Sequence, residues 1–587
     1  MKKLAFIFTV IVCINGKAFN QSCIPTAIVF TSQSQIDSFS INYSGCAVIE
    51  GSIGILGDNI TNLNGLFQLA EIGGSVQILD ASNLIDLQGL NNLSKIGGQL
   101  RIKGGRFSNL NGLNKLKIIG SHFLVSEIDS LENFFGIDSL KRIGGDFDFH
   151  SGSNFNNFIG FNSLDSVNGS LSLHGNIPNC LGFNSLQFVG GDLSLEGNTF
   201  SLSGFNNLKE ISGSLVLSQT YLGDFIGLDS LKHIGGSLFA YGNTNLVNFS
   251  GLNSLKSVNS VHITYNNNLI SLTGFDNLVT LEEGVLIDIS NSGNSIDLHP
   301  FNSLANFNGY IDLRGNFFGL GVFSEFDTLG GISISNNNII TDISNFDSLV
   351  HLGGLYISNN PILVAISGFE SLQSLGSLQL LDNQFLVSIE GLNHSVTFGG
   401  LSLQIQNNAL LDNCNIELIC NLLWQSNTQN NVFIFGNSVN CSSISSIVQS
   451  CGNAPDADGD GINDLIDNCL NVPNTNQLDC NDNGIGDACE QLDTDCDGIF
   501  DLNDNCPNYA NPFQTDLNNN GIGDACEDFP KIGINRTNPK AEFHISNGSI
   551  FIDNPEKGII LKNHQGQCYT FKAIGNTMQI IYIPCPQ

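Results

Sequence analysis

One phrase governs what this chain can fold into: Ile-Gly-Gly, or a near variant, returning at steps of about 23 residues. It stands at Ile72, Ile96, Ile143, Val189, Ile234, Leu329, Leu352 and Phe398. Looser copies begin at Ile49, Ile119, Val167, Ile211, Val258, Leu281, Phe307 and Leu375, so about sixteen turns fit between Ala47 and Asn408. In the turn from Gly182 to Asn198, Leu193-Ser194-Leu195 alternates with period two, which predicts a short strand with Leu inward and Ser194 and Glu196 outward. Gly190 and Gly191 read as the permissive backbone of a tight bend before that strand. Phe183 and Leu186 supply the opposite apolar wall. Asn198 follows the strand, with equivalents at Asn176, Asn243, Asn316, Asn337, Asn360 and Asn383, placed to bond the backbone of neighbouring turns. No turn buries its apolar face alone, so the turns must stack. Helical periodicity is absent, and the expected fold is mainly β: a long right-handed parallel β-helix, a rod of roughly 75 Å at ~4.8 Å per strand.

The Leu-x-x-Ile-Gly-Gly-x-Leu-x-Leu-x-x-Asn units over residues 47–412 resemble the receptor L-domain, the leucine-rich-repeat-like β-helix of insulin-receptor-type ectodomains, also found in many bacterial surface proteins. The array has more turns than one such domain. Its ends need covers. Cys23 and Cys46 bracket an N-terminal cap over 19–46. Residues 413–452, with Cys414, Cys420, Cys441 and Cys451, resemble the disulfide cap of leucine-rich-repeat arrays, and Ile416 to Trp424 has helical spacing. Four cysteines allow three pairings, and spacing does not choose among them.

Over 453–529 the composition turns to Asp, Asn and Gly, and 18 acids lie between Asp456 and Asp528 with no Lys or Arg. They are regularly spaced. Asp456, Asp458, Asp460, Asp464 and Asp467 occupy positions 1, 3, 5, 9 and 12 of a loop with Gly at 6 and the Ile462 carbonyl at 7. That oxygen pattern is the one in which an EF-hand-type loop wraps calcium. A second copy has Asp479, Asn481, Asn483, Ile485, Asp487 and Glu490. A third has Asp493, Asp495, Asp497, Ile499, Asp501 and Asp504, and a fourth has Asp516, Asn518, Asn520, Ile522, Asp524 and Glu527. The copies start 23, 14 and 23 residues apart with no amphipathic helices between them. Asp467-Asn-Cys469 and Asp504-Asn-Cys506-Pro507, ahead of Gly486-Asp-Ala-Cys489 and Gly523-Asp-Ala-Cys526, resemble the thrombospondin type 3 repeat. That resemblance implies a row of bound calcium ions and disulfides Cys469–Cys489 and Cys506–Cys526; Cys480 and Cys496, at loop positions 2 and 4 of adjacent copies, are candidates for a third bridge. A segment this acidic with few apolar residues folds only with its cations.

The net charge of −33 argues against nucleic acid and anionic lipid as partners. Lys2, Lys3, the apolar stretch Leu4 to Ile14 and Gly16-Lys17-Ala18 read as a signal peptide over 1–18, with a lipoprotein reading at Cys13 as the weaker alternative. No later stretch is apolar and long enough to span a bilayer, so a secreted or cell-surface location is expected. The clustered, even-numbered cysteines fit an oxidising compartment, Cys180 alone being left over as a buried thiol. Residues 530–587 form a small β-rich C-terminal module. Its stretch from Ile532 to Ile545 resembles the stems of bacterial adhesins and phage tail fibres, which implies a stem that oligomerises; a sorting or surface-attachment signal and a plain structural cap are the alternatives, and Cys568 and Cys585 read as a staple.

Outward strand positions form two adjacent columns. One is assigned Asp148, Phe239, His262, Asp288 and Asp312, the other His150, His174, Glu196, Tyr241 and Arg314. Aromatic platforms beside carboxylates suit a glycan or extracellular protein ligand, while paired carboxylates suit glycosidic hydrolysis. The chain therefore reads as a non-catalytic, calcium-binding adhesion or recognition scaffold, a rod on a calcium-stiffened stalk. The alternative is a secreted carbohydrate-active β-helix enzyme, a polysaccharide lyase or hydrolase, although Lys and Arg, the usual lyase bases, are scarce.

Overall fold

The structure, a computed structural model, describes residues 22–24, 26–305, 307–394, 396–423, 431–451, 456–462, 464, 466–480, 484–490, 493–527, 532–534, 543–545, 559–574 and 577–584. The signal-peptide reading over 1–18, Trp424 and Cys585 lie outside the described residues. The chain divides into two units, Met1–Ala454 and Pro455–Gln587.

The first unit is a β-solenoid of about sixteen turns. Leu171–His174, Leu193–Glu196 and Leu215–Ser218 are successive rungs, parallel and in register, with Leu173 beside Leu195 and Leu195 beside Leu217. Leu193 and Leu195 are buried and Glu196 is exposed, as period two requires. A second, two-residue rung such as Phe188–Val189 precedes each longer one. From His233–Tyr241 onward the two rungs merge in several turns into single strands of eight to ten residues. The wall facing the sheet repeats with the same period. Phe161, Phe183 and Phe205 stack with centroids 5.2 Å apart at both steps, close to the ~4.8 Å rung spacing.

The paired glycines serve a different purpose from the expected one. Neither Gly190 nor Gly191 has a positive φ. A Cβ on Gly190 would sit 2.2 Å from the Asn168 carbonyl oxygen of the preceding turn, and the same holds for Gly97 on Gly73, also at 2.2 Å. These residues are glycine because backbone seats on backbone there. Conformational freedom is used elsewhere, at Gly182 (φ 125°), where the Phe158 carbonyl also leaves no room for a side chain.

The asparagine ladder occupies only the later turns. Asn243, Asn266, Asn337, Asn360, Asn383 and Asn408 are buried. Asn243 Nδ2 donates to the Leu217 carbonyl (3.1 Å), and its Oδ1 accepts the Thr220 N–H (2.9 Å). Asn176 and Asn198 are exposed, and Ile177 and Thr199 fill the interior instead. Asn316 is half-buried. At the Asn176 and Asn198 corners an apolar side chain, Ile177, or a short hydroxyl side chain, Thr199, stands where the later turns bury an amide.

Both ends of the stack are woven into it. Ile28–Phe30 adds a rung to Ile53–Leu56, beneath the helix Gln33–Asn42, and Cys23 bonds Cys46. At the other end Val432–Phe435 pairs with Thr397–Gln406. Helices Glu417–Leu423 and Ile444–Ser450 cover it, held by Cys414–Cys441 and Cys420–Cys451. Cys180 is a free, fully buried thiol whose pKa burial raises well above its usual range.

In the second unit no helix occurs among the described residues. The acidic segment is built of turns, and the chain then forms a parallel pair, Ile532–Ile534 with Phe543–Ile545. A three-stranded antiparallel sheet follows: Ile559–Lys562, Cys568–Ile574 and Thr577–Ile583. Cys568 is disulfide-bonded. No helix among the described residues is long and apolar enough to cross a membrane.

Candidate functional site

The four acidic loops share one hydrogen-bonding plan. In each, the glycine at position 6 is left-handed: Gly461 (φ 91°), Gly484 (85°), Gly498 (89°) and Gly521 (86°). That conformation, unfavourable to any side chain, turns the glycine N–H back onto the first carboxylate. The distances to Asp456, Asp479, Asp493 and Asp516 Oδ2 are 3.0, 2.8, 2.8 and 2.9 Å. The position-9 carboxylates of Asp464, Asp487, Asp501 and Asp524 close each loop by accepting the N–H of Ala457, Cys480, Thr494 and Leu517 at 2.6–3.1 Å. At position 5, Asp460, Asp497 and Asn520 accept the N–H of Ile462, Ile499 and Ile522. Asn481 and Asn483 of the second loop lie outside the described residues.

In the first and third loops carboxylate oxygens converge. Asp456, Asp458 and Asp460 each bring a carboxylate oxygen within 4.8 Å of the others, as do Asp493, Asp495 and Asp497. Desolvation, then Asp460, Asp467 and Asp456, push the Asp458 pKa up. Desolvation, then Asp497 and Asp504, do the same for Asp495. Asp516 is shifted down, chiefly by the Gly521 N–H. Asp458 Oδ2 and Asp487 Oδ2 are buried with no hydrogen-bond donor. Crowded carboxylates, some buried without a donor, are electrostatically unfavourable unless a hard cation sits among them. Such clusters can hold a metal.

At position 12 the loops differ. Asp467 Oδ1 accepts the Cys469 N–H and the Gln477 amide, and Asp504 Oδ1 the matching Cys506 N–H and Gln514 amide. Glu527 instead takes the Asn518 amide at 3.0 Å and the Asn520 amide. A set of linking residues escaped the loop-by-loop reading. Asn468, Asn474 and Gln477 make the same bonds as Asn505, Asn511 and Gln514, each 37 positions later. Asn474 N–H, for one, donates to Asp460 Oδ2 at 2.6 Å. Their signal was present as Asn-x5-Asn-x2-Gln, twice. Cys469–Cys489 and Cys506–Cys526 tie the long loops, and Cys480–Cys496 joins the second loop to the third.

On the solenoid the two outward columns form, with one correction. Asp148, Ser172, Ser194, Val216, Phe239, His262, Leu286 and Asp312 are one column; His150, His174, Glu196, Ser218, Tyr241, Thr264, Asp288 and Arg314 are the other. Asp288 therefore belongs beside Arg314. An extra residue between Leu281 and Gly284 shifts the register by one, so Val258 faces Leu281 but Ser260 faces Gly284. Asp312 is buried and clamped by Arg314, with Nη2–Oδ2 at 2.6 Å and Nε–Oδ1 at 3.2 Å. Phe239 stacks on His262 at 4.8 Å, and Tyr241 meets Tyr265 edge-on at 5.2 Å.

Residues 450–477 and 478–514 match the family model of the thrombospondin type 3 repeat, a calcium-binding structural module of extracellular proteins. The fourth loop, from Asp516 to Glu527, lies beyond the matched residues and repeats the contacts of the glycine at position 6 and the carboxylate at position 9. No curated protein matches the chain. The repeats and the disulfides together point to an extracellular protein.

Proposed function

We propose that the protein is a non-catalytic extracellular scaffold in which calcium orders the segment following a recognition solenoid. The positions assigned in the four loops are its calcium ligands. The observation that carries this is the fourfold repeat of one loop plan, each with a left-handed glycine bonded to the first carboxylate. A merely solvated acidic run has no reason to place that glycine four times. The solenoid's outward aromatic and polar columns are the surface offered to an extracellular protein or glycan, as the resemblance to receptor L-domains supports. The C-terminal module is read as the site of self-association.

The test is limited proteolysis with circular dichroism, in calcium and in EDTA. Cleavage within 453–529 should appear on chelation and be suppressed by calcium, while residues 47–412 stay resistant in both. Equal resistance of 453–529 with and without calcium would contradict the proposal. Modules of this kind bind calcium at ~10⁻⁴ to 10⁻³ M, a range matched to calcium-rich surroundings.

A further inference from the structure

Two histidines on neighbouring rungs of the solenoid face converge with a carboxylate in a way the calcium loops do not account for. His150 lies directly beside His174 in the parallel register, and their rings stack at 4.6 Å and 16°. Asp148 is two residues before His150 on the same strand, so all three project from one face. Asp148 Oδ1 is 3.3 Å from His150 Nε2 and 3.7 Å from His174 Nε2. That oxygen is buried and accepts no hydrogen bond. One ligand atom from each of the three residues lies within 4.8 Å of the other two.

We propose that Asp148 Oδ1, His150 Nε2 and His174 Nε2 bind a divalent transition-metal ion of the zinc class. Metal–ligand bonds of ~2.0–2.1 Å in a tetrahedron put neighbouring ligand atoms ~3.3–3.4 Å apart; the carboxylate oxygen stands 3.3 and 3.7 Å from the two nitrogens, and one of the stacked rings turns on binding so that both in-plane lone pairs meet at the ion. Two imidazole nitrogens select such an ion over calcium, which takes oxygen ligands. Glu196, on the next rung, supplies the outer support: its Oε2 is 3.3 Å from His174 Nδ1, which orients the ring with Nε2 toward the metal. Asp148 and His150 also line a recess of about 370 Å³ with Arg101, Ser126 and Glu127, and a three-ligand zinc site leaves a fourth position. It is available to water or to a carboxylate of an incoming ligand. A plain surface row of histidines and acids would be expected to settle into hydrogen bonds; here the buried oxygen receives none.

The experiment titrates the full chain, held in saturating calcium so that the acidic loops are filled, with Zn²⁺ by calorimetry and with Co²⁺ by visible absorption. One equivalent of Co²⁺ should give the intense d–d bands of a low-coordinate imidazole site, displaced by Zn²⁺. His174→Ala and Asp148→Asn should each abolish those bands, and Glu196→Gln should weaken Zn²⁺ binding ~10- to 100-fold. His262→Ala, elsewhere on the same face, should leave them unchanged. Circular dichroism confirms that each variant remains folded. Wild-type protein without the Co²⁺ bands overturns the proposal, whatever the variants do. So does a folded His174→Ala variant that retains them.

Discussion

Asn383 Oδ1 accepts both the backbone N–H (3.0 Å) and the side-chain amide (3.1 Å) of Asn360, one turn earlier, while Asn383 Nδ2 donates to the Ile357 carbonyl at 2.9 Å. Each buried amide in the later turns thus satisfies the corner of the turn before it. Asn383→Ala should strand those buried groups and cost about 2–3 kcal/mol. The measurement is urea unfolding with hydrogen exchange; an unchanged midpoint together with unchanged protection at Asn360 would be the contrary result.

Seating of turn on turn gives a second expectation. A Cβ on Gly144 would meet the Gly120 carbonyl oxygen at 2.2 Å, whereas one on Gly223 finds only Asn245 O, at 3.9 Å. Gly144→Ala should destabilise by more than about 2 kcal/mol because backbone, unlike a side chain, cannot rotate away. Gly223→Ala should be close to neutral. Paired thermal melts decide; equal melting temperatures would refute the seating argument.

In the third acidic loop, a Cβ on Gly498 would meet nothing within 4 Å, yet φ is +89°. The penalty for Gly498→Ala is therefore conformational alone, about 1–2 kcal/mol. Since 1.4 kcal/mol is tenfold in affinity, calcium binding at that loop should weaken about tenfold. Calcium titration of the full chain reads this out, and wild-type affinity in the variant would show that the left-handed turn is not needed for binding.

The C-terminal sheet places Ile559, Leu561, Ile580 and Tyr582 on one face, all exposed. An apolar face of this kind is typically covered by a partner, and a second copy of the chain is the occupant proposed. Ile580→Asp should shift the protein toward monomer in light scattering. A wild-type chain that is monomeric at every concentration would exclude this.

Much of this was legible in the sequence because period carries it. Leu193 and Leu195 had to point inward once the repeat was seen, and in the first and third loops the carboxylates at positions 1, 3 and 5 had to face one another once Gly fell at position 6. Three things were not legible. The role of Gly190 depends on how close another turn comes, a distance no local pattern encodes. The placement of Asp288 depends on a bulge of one extra residue upstream; the register of Val258 with Leu281, carried on unbroken, would set Ile287 beside Thr264 in its stead. The linking residues Asn474 and Gln477 act on loops they do not belong to, and only the 37-residue recurrence gives them away.

The glycine column has a consequence for how such a chain changes length. Most turns are seated by the carbonyl of the one before them, as at Gly97, Gly120, Gly144, Gly190 and Gly235, and offer a like seat to the next. A duplication or deletion of one whole repeat therefore leaves the seams intact, whereas an insertion within a rung shifts the side chains that follow it, as the extra residue before Gly284 does. The solenoid can lengthen or shorten by recombination between its own repeats, so that reach evolves in whole-turn increments while the two end pieces stay constant.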